Sequence, residues 1–214
     1  MAVTAFLYGK AFANLLGGES SGESSAVDYL SDTIKVALCT SSYSYNLDTH
    51  EFFNDVTNEI TGTGYTSGGA TLGSKTITYT AANSWGVAAA TSTAYALGDI
   101  VRPSTGNGHL YRCIVAGTSG GSAPTWPTVS GNTVADGSVT WAEIGRGVTV
   151  IDAADPSWST ATLTARMAVV YKSTGTASTS PLLCVIDFGT DVSSTAATYQ
   201  ITLPSVGLFN FATP

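Results

Sequence analysis

Four carboxylates, Asp48, Glu51, Asp55 and Glu59, crowd one short stretch of the chain. Paired carboxylates are the machinery of glycoside hydrolysis, which needs two of them facing each other across a cleft at a set separation. The spacing here is that of a helix instead. Phe52, Phe53, Val56 and Ile60 recur between the acids, and Thr49 stands where a cap would. THEFFNDVTNEI therefore predicts a helix whose solvated face carries the four acids. GGATLGSKT, residues 68–76, invites a phosphate-loop reading, but Ser74 separates Gly73 from Lys75 where that motif requires adjacency. A strand pattern follows it, with no helix N-terminus to receive a phosphate.

His50 and His109 stand alone in their segments, and no nucleophile elbow surrounds any of the serines. Cys39, Cys113 and Cys184 are far apart and sit in apolar, strand-like runs, so they read as buried reduced thiols of a protein folded in a reducing cytoplasm. The expectation is a chain that is not an enzyme, with no metal and no cofactor. Four aromatics in a Gly- and Pro-rich region offer a different chemistry. Tyr95, Tyr111, Trp126 and Trp141 could present flat rings to the C–H face of a sugar. A module of this size also needs a core, and Trp141 and Tyr111 suit that role. Trp126, in the Pro-flanked APTWPT loop, is the foremost glycan-contact candidate, followed by Tyr95 and Trp141.

The elements that must position these residues are mostly strands. Ile34–Cys39, 75–80, 161–172, 182–188, 198–203 and 206–211 show alternating or continuously apolar patterns separated by short Ser/Thr/Gly/Pro loops. Shorter strands are predicted at Ile100–Val101, Leu110–Val115 and 139–141, the last after an Asp136-Gly137 turn. No βαβ alternation is present. The fold class expected is mainly β: an antiparallel β-sandwich or barrel-like host domain with one or two short helices. A small all-β module, residues 92–146, is inserted in one loop, so the host is discontinuous, 1–91 plus 147–214.

Residues 4–16 predict a further short helix, apolar on most sides through Phe6, Leu7, Ala11, Phe12, Leu15 and Leu16 and stopped by Gly17-Gly18. Such a helix must be covered, and Phe6, Leu7, Phe12, Leu15 and Leu16 are the candidate subunit or capsid interface. GGESSGESS, residues 17–25, predicts an exposed loop. Lys10 interrupts the apolar start, which is too short to cross a bilayer; the reading is of no export leader and no membrane insertion.

Charged residues make up 11% of the chain, where an average soluble domain has about 25%. Ser, Thr, Gly and Ala fill the difference, a profile suited to surfaces spent on neighbouring copies or a larger assembly. Net charge is −7 with the basic residues scattered, which argues against nucleic-acid binding.

Several segments together resemble a family of small structural proteins of tailed bacteriophages. They are LYGKAFANLLGGE, VDYLSDTIKVALCTSSYSYNLDTHEFFNDVTNEITGTGYTSGGATL, KTITY, ADPSWSTATLTARMAVVYK and SPLLCVIDFG. DTIKVAL, NEITGTGYTSGGA and the strand beginning at Trp158 carry the likeness most strongly. Separately, AYALGDIVRP, LYRCIVAGTSGGSAPTWPT and VADGSVTWAEIG resemble a carbohydrate-binding-like module of phage tail and fibre proteins. Neither family brings catalytic residues. The resemblance implies a virion component made in the host bacterial cytoplasm. The expected role is capsid decoration (cement) on the outer surface of the head, as a homo-oligomer with a trimer favoured, bound to the major capsid protein or other virion proteins. The alternative is a tail-associated or receptor-binding protein whose module recognises a host surface glycan. A secreted-type polysaccharide hydrolase is the third reading.

Overall fold

The computed structural model describes residues 4–17, 26–204 and 206–213. In chain order the strands are β1 (Thr4–Leu7), β2 (Ile34–Cys39), β3 (Ala70–Thr71), β4 (Thr76–Ala81), β5 (Ala94–Tyr95), β6 (Ile100–Val101), β7 (Leu110–Val115), β8 (Gly117–Thr118), β9 (Thr133–Asp136), β10 (Val139–Gly145), β11 (Gly147–Asp152), β12 (Ser157–Lys172), β13 (Leu182–Gln200) and β14 (Phe209–Thr213). One short helix, α1 (Ala11–Leu15), and three single 3-10 turns complete the described elements. The fold is mainly β with antiparallel sheets. The chain divides into two compact units: residues 1–76 with 152–208, and residues 77–151 with 209–214.

The first unit is built on a five-stranded sheet of order β1-β13-β12-β2-β3. Its centre is the β12–β13 hairpin. From Met167 to Tyr171 and from Leu182 to Ile186 these strands are buried on both faces, so their sequences, MAVVY and LLCVI, read as unbroken apolar runs. Towards the other end of the hairpin β12 alternates, with Trp158, Ala161, Leu163 and Ala165 buried and the intervening residues exposed. Two bulges break the register there, between Trp158 and Ala161 and between Ala161 and Leu163. Each seats a non-glycine residue in left-handed backbone, Thr160 at φ 51° and Ala196 at φ 47°. Bulges of this kind twist a two-stranded ribbon and interrupt a regular edge.

Three expectations for this unit are corrected. Residues 4–16 are not one helix: Thr4–Leu7 form β1, paired with Cys184–Asp187, and only Ala11–Leu15 are helical. THEFFNDVTNEI is not a helix either, apart from a 3-10 turn at Phe53–Asp55. Bridges of Phe52 with Pro181 and of Glu59 with Cys39 pin its two ends to the sheet, and Phe53 stacks on Tyr171 with ring centres 4.0 Å apart. Finally, 182–188 and 198–203 are not separate strands around a GTDVSSTAA loop, because β13 runs through from Leu182 to Gln200. The proposed loop at 17–25 lies, beyond residue 17, outside the described residues.

Gly69 shows why the GTGYTSGG run is glycine-rich. It has φ +71°, and a Cβ there would fall 1.8 Å from the Val36 carbonyl oxygen.

The second unit contains sheets β6-β7-β10-β9 and β14-β11-β4 and the pair β5-β8. Alternation along its strands feeds two separate cores. Val101, Tyr111, Cys113, Val139 and Trp141 form one, with Tyr95, Trp126 and Val134 packed against it. Ile100, Leu110, Ala82 and Val148 form the other, with Trp85, Ile144 and Val150 against it. This unit is wider than the segment 92–146 read from the sequence. Ile100 and Leu110 share their core with Ala82 and Val148, and β14 returns to pair with β11. β9 and β10 are joined by the tight Gly137-Ser138 turn, with Gly137 at φ 64°.

Candidate functional site

The aromatic cluster of the second unit is assembled from four elements. β5 supplies Tyr95, β7 supplies Tyr111, the 121–132 loop supplies Trp126 and β10 supplies Trp141. Tyr95 meets Trp141 edge-on with centroids 4.8 Å apart; Trp126 lies 4.4 Å from Tyr111 and 5.9 Å from Trp141. All four glycan and core candidates are therefore brought together. Their roles differ. Trp141 and Tyr111 are fully buried, the core role expected of them; Trp141 therefore offers no ring face to a ligand, which corrects its place among the glycan candidates. Trp126 and Tyr95 are half-buried at the rim.

Hydrogen bonds fix the cluster. Trp141 Nε1 donates to Asp136 Oδ2 at 3.2 Å, and the other oxygen of Asp136 accepts the Gly120 N–H at 2.8 Å. The Tyr111 hydroxyl donates to the Pro127 carbonyl and accepts from Asn107 Nδ2, each at 2.7 Å. Burial pushes that hydroxyl above the ordinary tyrosine range, and the Asn107 amide works in the opposite direction. Tyr95 accepts the Ala90 N–H at 2.7 Å. Trp141, Tyr111 and Tyr95 are thus each fixed by a hydrogen bond, while Trp126 is held by ring contacts with Tyr111 and Trp141.

His109 does have a partner, contrary to its isolation in the sequence. Its Nδ1 lies 2.7 Å from Glu143 Oε1, with both side chains buried. Pairing of β7 with β10 carries Glu143 to this position, opposite Tyr111. Nothing in the local sequence of either residue signals the pair. His50 contacts the Tyr43 hydroxyl at 3.2 Å, which in turn meets Tyr8 at 2.9 Å. Among the described residues, no three His, Cys, Asp or Glu side chains gather as a metal site.

The acids of residues 48–59 do not form one solvated helix face: Asp48 is exposed, while Glu51, Asp55 and Glu59 are tied to neighbouring segments. Asp55 Oδ2 accepts the N–H groups of Glu51 and Phe52. Glu51 pairs with Lys10 at 2.8 Å. Glu59 gathers Tyr65, Ser67 and the Gly68 N–H on its carboxylate, closing the loop that leads into β3.

The interface candidates lie on β1 and α1 of the first unit. Phe6 is 37% exposed and stacks on Tyr45 at 6.2 Å; Phe12 and Leu16, four residues apart and so on one side of the helix, are 48% and 73% exposed. Leu7 and Leu15 are half-buried. Ala11 and Asn14 face inward and are buried.

No family model, curated protein or solved structure matches the chain.

Proposed function

We propose that the chain is a structural protein of a tailed-bacteriophage particle, a capsid-decoration (cement) protein that works by occupying a place in a shell. The observation that carries this reading is the set of apolar side chains on β1, on α1 and at its C-terminal end, Phe6, Phe12 and Leu16, held at the surface of a chain with few charges. Phe12 and Leu16 are grouped at i, i+4, and grouped apolar side chains at a surface, unlike single ones, mark sites that neighbours cover. Repeated over many copies, such weak contacts stabilise a shell against the pressure of packaged DNA. The resemblance of the first unit's segments to phage structural proteins supports the same role, with the major capsid protein as partner and a trimer as the favoured assembly. The test is measurement of the purified chain's molar mass by light scattering across a concentration series. A homo-oligomer that dissociates in a Phe6→Ser/Leu16→Ser variant of unchanged circular dichroism supports the reading. A wild-type monomer at every concentration contradicts it.

The half-buried ring of Trp126 at the module's rim favours a second reading, a tail-associated or receptor-binding protein that contacts host glycan through Trp126 and Tyr95. A glycan array with the full chain and its Trp126→Ala variant separates this reading from the first.

A further inference from the structure

Asn107 and Gly108 form the single Asn-Gly pair of the sequence. Asn-Gly is the dipeptide most prone to deamidation, because glycine leaves the following backbone nitrogen open to attack the side-chain amide. Here that nitrogen is occupied: the Gly108 N–H donates to Asn83 Oδ1 at 2.9 Å. The Asn107 side chain is tied at both ends, Oδ1 accepting the His109 N–H at 3.0 Å and Nδ2 donating to the Tyr111 hydroxyl at 2.7 Å. Gly108 sits at φ +82°, so a residue with a Cβ is disfavoured and the labile pair is built into this turn.

We propose that Asn107 is a deamidation site held in check by Asn83, and that its conversion loosens the loop carrying Trp126. In the reaction the Gly108 nitrogen attacks Asn107 Cγ; a C–N bond forms, and Nδ2 leaves as ammonia with the proton from Gly108. Water then opens the succinimide at either carbonyl to give aspartate or isoaspartate. The product has no donor where Nδ2 stood. The Tyr111 hydroxyl, which has one proton, then faces two acceptors, the new carboxylate and the Pro127 carbonyl, and can donate to only one. The residue beside Pro127 is Trp126, whose ring packs on Tyr111.

The test holds the folded full chain at alkaline pH and follows residue 107 by peptide mass spectrometry. Deamidation is expected to run about fivefold or more slower than in the same chain unfolded in urea, the factor that one hydrogen bond carries. Asn83→Ala closes most of that gap, whereas Asn83→Asp, which keeps an acceptor at the site, does not. Asn107→Asp shifts the tryptophan emission, and adding Trp126→Phe removes the shift. Equal rates in the folded and unfolded chain, equal rates for folded Asn83→Ala and wild type, or an unshifted emission in Asn107→Asp each overturn the proposal.

Discussion

The imidazole of His109 and the carboxylate of Glu143 lie 2.7 Å apart inside the second unit, joined across the β7–β10 pairing. Glu143 Oε1 also accepts the Gly145 N–H, while Oε2 is buried with no hydrogen-bond partner among the described residues. A carboxylate so enclosed depends on its neighbour. Removing the partner of a buried polar group leaves it unsatisfied and costs about 1–3 kcal/mol. His109→Ala should therefore destabilise the second unit by that amount, read from tryptophan emission during urea unfolding. Glu143→Gln, which keeps an oxygen acceptor for His109, should cost markedly less. Equal stability of His109→Ala and wild type would show that the pair contributes nothing.

The bulges of the β12–β13 ribbon hold Thr160 and Ala196 in left-handed backbone. That conformation costs a residue with a Cβ about 1–2 kcal/mol, and glycine returns about 0.5–1 kcal/mol through its freer unfolded chain. Ala196→Gly should consequently raise stability by a net ~0.5–1 kcal/mol, seen as a higher denaturant midpoint at unchanged slope. A lower midpoint would mean that the Ala196 methyl makes a contact worth more than the strain.

Burial pushes the Cys39 thiol from 9.0 up to about 12, and the Tyr43, Tyr171 and Tyr199 hydroxyls from 10.0 to about 12. Between those values the unfolded chain has already lost protons that the folded chain retains. Stability should be insensitive to these groups below about pH 9.0 and should fall as pH climbs towards about 12. The three cysteines are all buried and free. They should resist a thiol-reactive disulfide reagent at neutral pH and react only after unfolding; rapid labelling of the folded chain would contradict this.

How far the fold can be read from the residues depends on where pairing partners lie. β2 is legible to the residue, since IKVALC is apolar, β-branched and ends at a polar loop. The middle of β13 is not, because GTDVSSTAA has the composition of a turn and is extended only by its pairing with β12. The same competition turns TAFL into a strand, where apolar spacing alone suggests helix: β13 offers it an edge. Clustering of Tyr95, Tyr111, Trp126 and Trp141 follows from their place in one small module. The core role expected of Trp141 and Tyr111 matches their full burial, since a module of this size needs its largest rings inside. The His109–Glu143 and Asn83–Gly108 contacts join residues distant in sequence and leave no local trace.

We propose that this chain acts by filling a place in a particle. Electron cryo-microscopy of purified phage particles whose genome carries this coding sequence tests the proposed role. The account predicts density for many symmetry-related copies on the head, with residues 4–16 at a contact between subunits. Particles that lack the protein, or that carry it with Phe6, Phe12 and Leu16 facing solvent, would contradict it.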